Sequence, residues 1–228
     1  MSKYALGTGS FSQDARGRWY FNTTVKSEAQ SSEGRTAIGI DLGLKTAATC
    51  SDGIVFERRR ITDEFAKELA IAQRANKAKQ IKSIHAKIKN ARSDAIHKFT
   101  TAMINQHGAI FVGDVSSKKL AKTKMAKSVL DTGWGMIKTQ LEYKAIARSV
   151  VFAEVNEKYT TQTCSCCGEI SDNSPKGRAC LGIRAWSCAV CGALHDRDVN
   201  AAKNILRLGH QSLAVGIPFL SAQAAAIV

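Results

Sequence analysis

The chain has 228 residues, 44% hydrophobic and 23% charged, which is ordinary for a soluble globular chain with a core of one large or two small domains. Thirty-three Lys and Arg against 19 Asp and Glu leave a net charge of +14, so the expected partner is polyanionic, nucleic acid before an anionic membrane. No apolar run follows a basic start, and the most apolar stretch, 213–228, is interrupted by Pro218, Ser221 and Gln223; neither a signal peptide nor a membrane span is expected.

In chain order, residues 13–17 read as a turn and 18–25 as an aromatic strand, followed by a polar Ser/Glu/Gly linker over 27–34. An isolated hairpin is marginal in water, so residues 1–35 are expected to pack on the body or to end a domain lying upstream. Residues 36–45, TAIGIDLGLK, form a short apolar strand that delivers Asp41 into a Gly-flanked turn. Alternation sets Ile38 and Ile40 on one face and Ala37, Gly39 and Asp41 on the other, where small residues leave room for a substrate backbone. Residues 46–50 and 54–57, joined through Ser51, Asp52 and Gly53, predict a hairpin.

From 61 to about 106 the pattern turns helical, with Phe65, Leu69, Ala72, Ile81, Ile84 and Ile88 at three- and four-residue spacing. Between them lie Arg74, Lys77, Lys79, Lys82, Lys87, Lys89 and Arg92. Acids are scarce there, so ion pairing along the helix cannot explain the run, and a phosphate-facing surface is expected. Residues 109–115 predict a second apolar strand ending in Gly113 and Asp114. A basic loop over 116–126, with Lys118, Lys119 and Lys122, extends the nucleic-acid surface. A helix with a buried stripe of Trp134, Ile137, Leu141 and Ile146 follows, and residues 149–155 form a third strand carrying Glu154.

Six of the seven cysteines fall between 164 and 191. Cys164 and Cys167 make one CxxC knuckle and Cys188 and Cys191 another, with 20 residues between them. Each knuckle presents two thiolates to one ion, Gly168 and Gly192 relieve the turns, and four sulfurs complete a closed tetrahedral zinc site that holds the fold. Cys166 is a competitor for that ion, and Cys50 and Cys180 read as small buried or loop residues. Residues 195–206 then form a helix with Asp198, Ala202 and Ile205 on one face. The plain reading of Asp198 is an acid complementing the helix dipole, a task that Asp196 could fill alone.

The succession of GIDLGLK at 39–45, TTQTCSCCG at 160–168 and HDRDVNAAKNIL at 195–206 resembles the RuvC-like nuclease domain of transposon-encoded TnpB (OrfB) proteins, relatives of the type V CRISPR effectors. The resemblance covers about residues 36–210, and residues 13–25 look like the last hairpin of the wedge domain that precedes the nuclease in that family. It implies an RNase H-like α/β fold, with the nuclease domain over 36–158 and 194–212, a zinc ribbon over 159–193, a remnant of the wedge domain and linker over 1–35, and a tail over 213–228. It further implies a DNA endonuclease guided by RNA, a prokaryotic cytoplasmic protein working at the nucleoid with two Mg²⁺ or Mn²⁺ ions besides one zinc. Asp41 is then the first carboxylate ligand and Asp198 the third.

Two departures stand out. The family's second acid, a Glu before an Asp, falls at Gly113, and alternation should point Asp114 to the opposite face; Glu154 is the first-ranked replacement, ahead of Asp114 and Glu157. The recognition parts of the family are missing ahead of residue 36, so the expectation is a shortened chain: a remnant, a shortened product, or a piece working beside a fuller homologue or a second copy. A nucleic-acid-binding module that does not cut is the alternative to the nuclease.

Overall fold

The structure, a computed structural model, describes residues 5–28, 30–115, 129, 131–177, 180 and 182–214. The expected basic loop with Lys118, Lys119 and Lys122 lies outside them, as does most of the C-terminal tail. Strands β1 (Leu6–Gln13) and β2 (Trp19–Val25) form an antiparallel hairpin that is exposed along its length. Its tip is closed by Asp14, whose carboxylate accepts hydrogen bonds from the Arg16 and Arg18 amides and from the Arg18 guanidinium. The following linker is not loose, because the Ser32 hydroxyl donates to the Ile104 carbonyl at 2.7 Å.

The body is a five-stranded sheet in the order β5-β4-β3-β6-β7. Strands β3 (Thr36–Asp41), β4 (Thr46–Cys50) and β5 (Val55–Glu57) make an antiparallel meander. Strands β6 (His107–Gly113) and β7 (Val151–Val155) continue the sheet in parallel with β3. Parallel neighbours need crossovers, and helices supply both. Between β5 and β6 lie α1 (Ile61–Glu64), α2 (Ala66–Arg74) and α3 (Ala78–Gln106), and α4 (Trp134–Ala147) leads into β7. The helical stretch expected over 61–106 is thus divided near Phe65 and again at Asn76, whose φ of 48° is a left-handed conformation that Asn tolerates. This strand order, with helices on both faces, is the RNase H-like fold.

The two faces differ in size. Ile38, Ile40, Ile110, Val112 and Phe152 bury against α3 and α4, with Trp134, Ile137 and Leu141 from the expected stripe; Ile146 is only half-buried. The other face carries small residues, Ala37, Gly39, Ala109 and Ala153, and is covered by α5 (Arg197–Ala214) through Ile205 and Leu206. A Cβ on Gly39 would lie 2.2 Å from the Ala202 carbonyl oxygen. The room that Gly39 leaves is therefore taken by the backbone of α5, and the open space lies at the strand's end, where Asp41 lines a cleft.

Between β7 and α5 the chain forms a small ribbon around the hairpin of β8 (Ala185–Ser187) and β9 (Leu194–Asp196). No helix of the described residues is long and apolar enough to cross a membrane.

Candidate active site and metal centre

Asp41 ends β3 at the sheet's C-terminal rim. Its face is set by register: Ile40 pairs with Val112, and Val112 with Glu154, so the next residues, Asp41, Gly113 and Val155, share the α5 face. Asp198 comes to the same rim from the first turn of α5. The Asp196 carboxylate caps that helix, accepting from the Asp198 and Val199 amides at 3.0 Å each, so the Asp198 side chain is not spent on the helix start. Asp41, Glu157 and Asp198 line one cleft of about 430 Å³ together with Arg184, Arg197 and Trp134.

The cleft is electrostatically divided. Loss of hydration, and then the nearby Glu157 carboxylate, push the Asp41 carboxyl up to about 7, against the opposing pull of Arg197 and Arg184. Burial also raises Glu157, with Asp114 adding to the effect. Asp198 pairs with the Arg184 guanidinium and lies 3.8 Å from Arg197 Nε. Burial and the neighbouring Arg184 hold Arg197 below its ordinary value. Acids crowded at a sparsely hydrated rim are costly unless cations join them. Arginines now supply that charge, and the all-oxygen donor set of three carboxylates suits a hard divalent ion such as Mg²⁺ or Mn²⁺.

Glu154 is elsewhere. It shares the face of Ile40 and Val112, 44% exposed, and its carboxylate accepts from Lys138 Nζ at 2.6 Å. The expectation that it replaces the missing acid fails on strand parity: a residue whose neighbours across the sheet point into the α3/α4 core cannot reach the Asp41 rim. Glu157, ranked lower from sequence, lines the cleft instead. The parity of β7 relative to β3 could be read only through β6, whose register is tertiary. Arg184 had no sequence signal, since it reaches the rim by the docking of the ribbon.

The four knuckle cysteines do converge. Cys164 and Cys191 sulfurs are 3.7 Å apart, as are those of Cys167 and Cys188. A tetrahedron with Zn–S bonds of about 2.3 Å has edges of about 3.8 Å, so the set fits one zinc ion. Among the described residues it is the one group bringing three or more ligating atoms within 4.8 Å of one another. Cys166 is exposed and outside it. Gly168 and Gly192 take φ of 84° and 73°, and their amides donate back to the Cys164 and Cys188 carbonyls, closing the two knuckle turns. The amides of Cys191 and Val190 favour the Cys188 thiolate and bring it down to about 6. His195 Nε2 approaches the Cys164 sulfur at 3.0 Å while its ring packs on Trp186.

Arg74, Lys77, Lys79 and Lys82 lie exposed along α2 and the start of α3, far in sequence from the cleft residues. The tip of the β1–β2 hairpin leans on the same helix, sharing a second cleft with Lys82, His85 and Lys89.

Two family models match the chain: "Probable transposase" over residues 20–124, and "Cas12f1-like, TNB domain" over 134–205. The chain is 31% identical over 230 residues to "Putative RNA-guided DNA endonuclease InsQ" of Escherichia coli (strain K12), covering 88% of this chain and 56% of that protein. It is 30% identical over 224 residues to a similarly named protein of Streptomyces pristinaespiralis, covering 92% and 54%. The chain therefore spans about half the length of these relatives. In fold it resembles a Cas12f1–sgRNA–target DNA complex solved by cryo-EM, with a TM-score of 0.53 at 17% identity, covering 82% of this chain and 53% of that one.

Proposed function

The chain belongs to the TnpB/OrfB family of transposon-encoded proteins, and from that premise we propose that its cleft is the centre of a metal-dependent nuclease acting on DNA, with guide RNA as partner. The observation that carries the reading is the meeting of Asp41, from a strand end, and Asp198, from a helix start, in one cleft. Two-metal phosphodiester hydrolysis draws its carboxylates from separate elements in this way, one ion activating water and the other stabilising the leaving oxygen.

In this reading Asp41 and Asp198 would hold the ions. A cation held there would compete with Arg184 for Asp198, and the Arg184 guanidinium, which lines the same cleft, would then be available to a phosphate. Arg74, Lys77, Lys79 and Lys82 carry backbone phosphates along the α2–α3 side. The ribbon cysteines hold zinc for structure only, since a closed four-sulfur site leaves no open position.

The test is cleavage of labelled single-stranded DNA and RNA in Mg²⁺ or Mn²⁺ by the full chain, with and without the RNA that co-purifies with it. Cutting that is lost in Asp41→Asn and Asp198→Asn supports the reading, and equal cutting by either variant refutes it. The pairing of Asp198 with Arg184 favours one alternative, a module that binds nucleic acid without cutting. Salt-sensitive binding with no cleavage under any of these conditions would establish it.

A further inference from the structure

Asp41 and Asp198 reach the cleft, but the strand between β3 and β7 offers no side chain there. The residue beside Asp41 on β6 is Gly113. Its glycine is a vacancy with an occupant: a Cβ at 113 would lie 2.6 Å from Glu157 Oε2 and 3.3 Å from Glu157 Cβ. A side chain on residue 113 and the carboxylate of Glu157 therefore compete for one space, and in this chain Glu157 fills it.

The placement is held. Glu157 stands two residues past the end of β7, its amide donates to Asp114 Oδ1 at 3.2 Å, and its carbonyl accepts from both the amide and the hydroxyl of Thr160. Asp114, the residue after the glycine, thus anchors the backbone of the acid that replaces its neighbour. These contacts aim the Glu157 side chain back over the end of β6 toward Asp41.

We propose that Glu157 is the second metal-holding carboxylate of this centre, delivered from the segment after β7 into the space that Gly113 leaves open. The proposal rests on the metal-dependent reading of the cleft above. It makes the arrangement of Gly113 and Glu157 a relocation of one carboxylate by 44 positions in sequence and by less than a side chain's length in space.

Direct binding of Mn²⁺ to the zinc-loaded, full 228-residue chain, followed by electron paramagnetic resonance of the free ion, tests it without needing cleavage. Glu157→Gln should weaken Mn²⁺ binding at least about tenfold, while Glu154→Gln leaves it unchanged. Moving the acid back, with Gly113→Glu in a Glu157→Ala background, should restore binding, which a merely structural Glu157 would not allow. If Asp41→Asn and Asp198→Asn weaken binding but Glu157→Gln does not, the assignment of Glu157 is overturned and the cleft reading stands. If the native chain takes no Mn²⁺, or none of the three carboxamide variants changes it, the cleft reading itself falls and Glu157 with it.

Discussion

The Asn200 side chain accepts a hydrogen bond from the Ser165 amide at 2.8 Å, joining the helix that carries Asp198 to the first cysteine knuckle. The same side chain donates to the Thr160 and Thr163 carbonyls, and Asn204 donates to both again one turn later. Both residues are almost fully buried, so these bonds are made away from water. The knuckle and the helix that carries the acid are thereby tied together. We expect Asn200→Ala to lower stability by about 1–3 kcal/mol, because it strands the Ser165 amide, while the Thr160 and Thr163 carbonyls keep their bonds from Asn204. Thermal unfolding checks this, and a melting temperature equal to that of the native chain would contradict it.

Metal removal should act through the same link. Elemental analysis should find one zinc per chain, lost in Cys188→Ala. Stripping the zinc should raise amide exchange in the first turn of α5 as well as in the ribbon, since four thiolates without an ion repel one another and loosen the knuckle that Asn200 grips. Exchange that rises in the ribbon and stays unchanged over 197–204 would disprove the coupling.

Asp41 gives a pH dependence with a definite sign. Its carboxyl is raised from 3.8 to about 7 in the folded chain, so the folded state holds a proton that the unfolded state has released. Stability then falls as pH rises from about 4 to 7 and is flat above it, as far as this group is concerned. Asp41→Asn has no proton to lose. In zinc-loaded protein without Mg²⁺ or Mn²⁺, the variant should be the more stable at pH 8, by a margin that shrinks toward pH 5. Denaturant unfolding at the two pH values measures the margin, and one that widens at pH 5 would be inconsistent with a raised Asp41.

Gly39 packs β3 on α5. Gly39→Ala would set a methyl group 2.2 Å from the Ala202 carbonyl oxygen and 2.6 Å from the Leu206 amide, both backbone atoms that cannot swing aside. The sheet and the helix must part, at a cost of about 1–3 kcal/mol, and Asp198 moves away from Asp41 with the helix. The expected result is a lowered denaturation midpoint together with weaker Mn²⁺ binding. A variant as stable as the native chain would argue against this packing.

The exposed cations of α2 and α3 should appear as a salt effect. Replacing Lys77, Lys79 and Lys82 together by Ala should weaken duplex binding at low salt and reduce the slope of log K against log salt by about 2–3, at about 0.9 per lost phosphate contact. An unchanged slope in a titration from low to physiological salt would place the nucleic acid on another surface.

Chemistry carried by close sequence neighbours was legible without the fold. The two CxxC knuckles hold their ligands in tight turns, so spacing alone defines the pairs, and all four sulfurs do meet. Asp41 at a strand end and Asp198 in a first helical turn were likewise readable from local patterns, as was the α/β class, because alternation and helical periodicity are short-range properties. What the sequence could not decide was which face of β7 meets which face of β3. Side chains alternate every residue, and a register transmitted through β6 sent Glu154 to Lys138 and left Glu157 over Gly113. The docking of the ribbon that brings Arg184 to Asp198 was equally invisible, since it depends on contacts between segments that share no pattern. Local spacing named the zinc's four cysteines and the family resemblance named Asp41 and Asp198; only the packing of sheet, helix and ribbon determined which acids face one another.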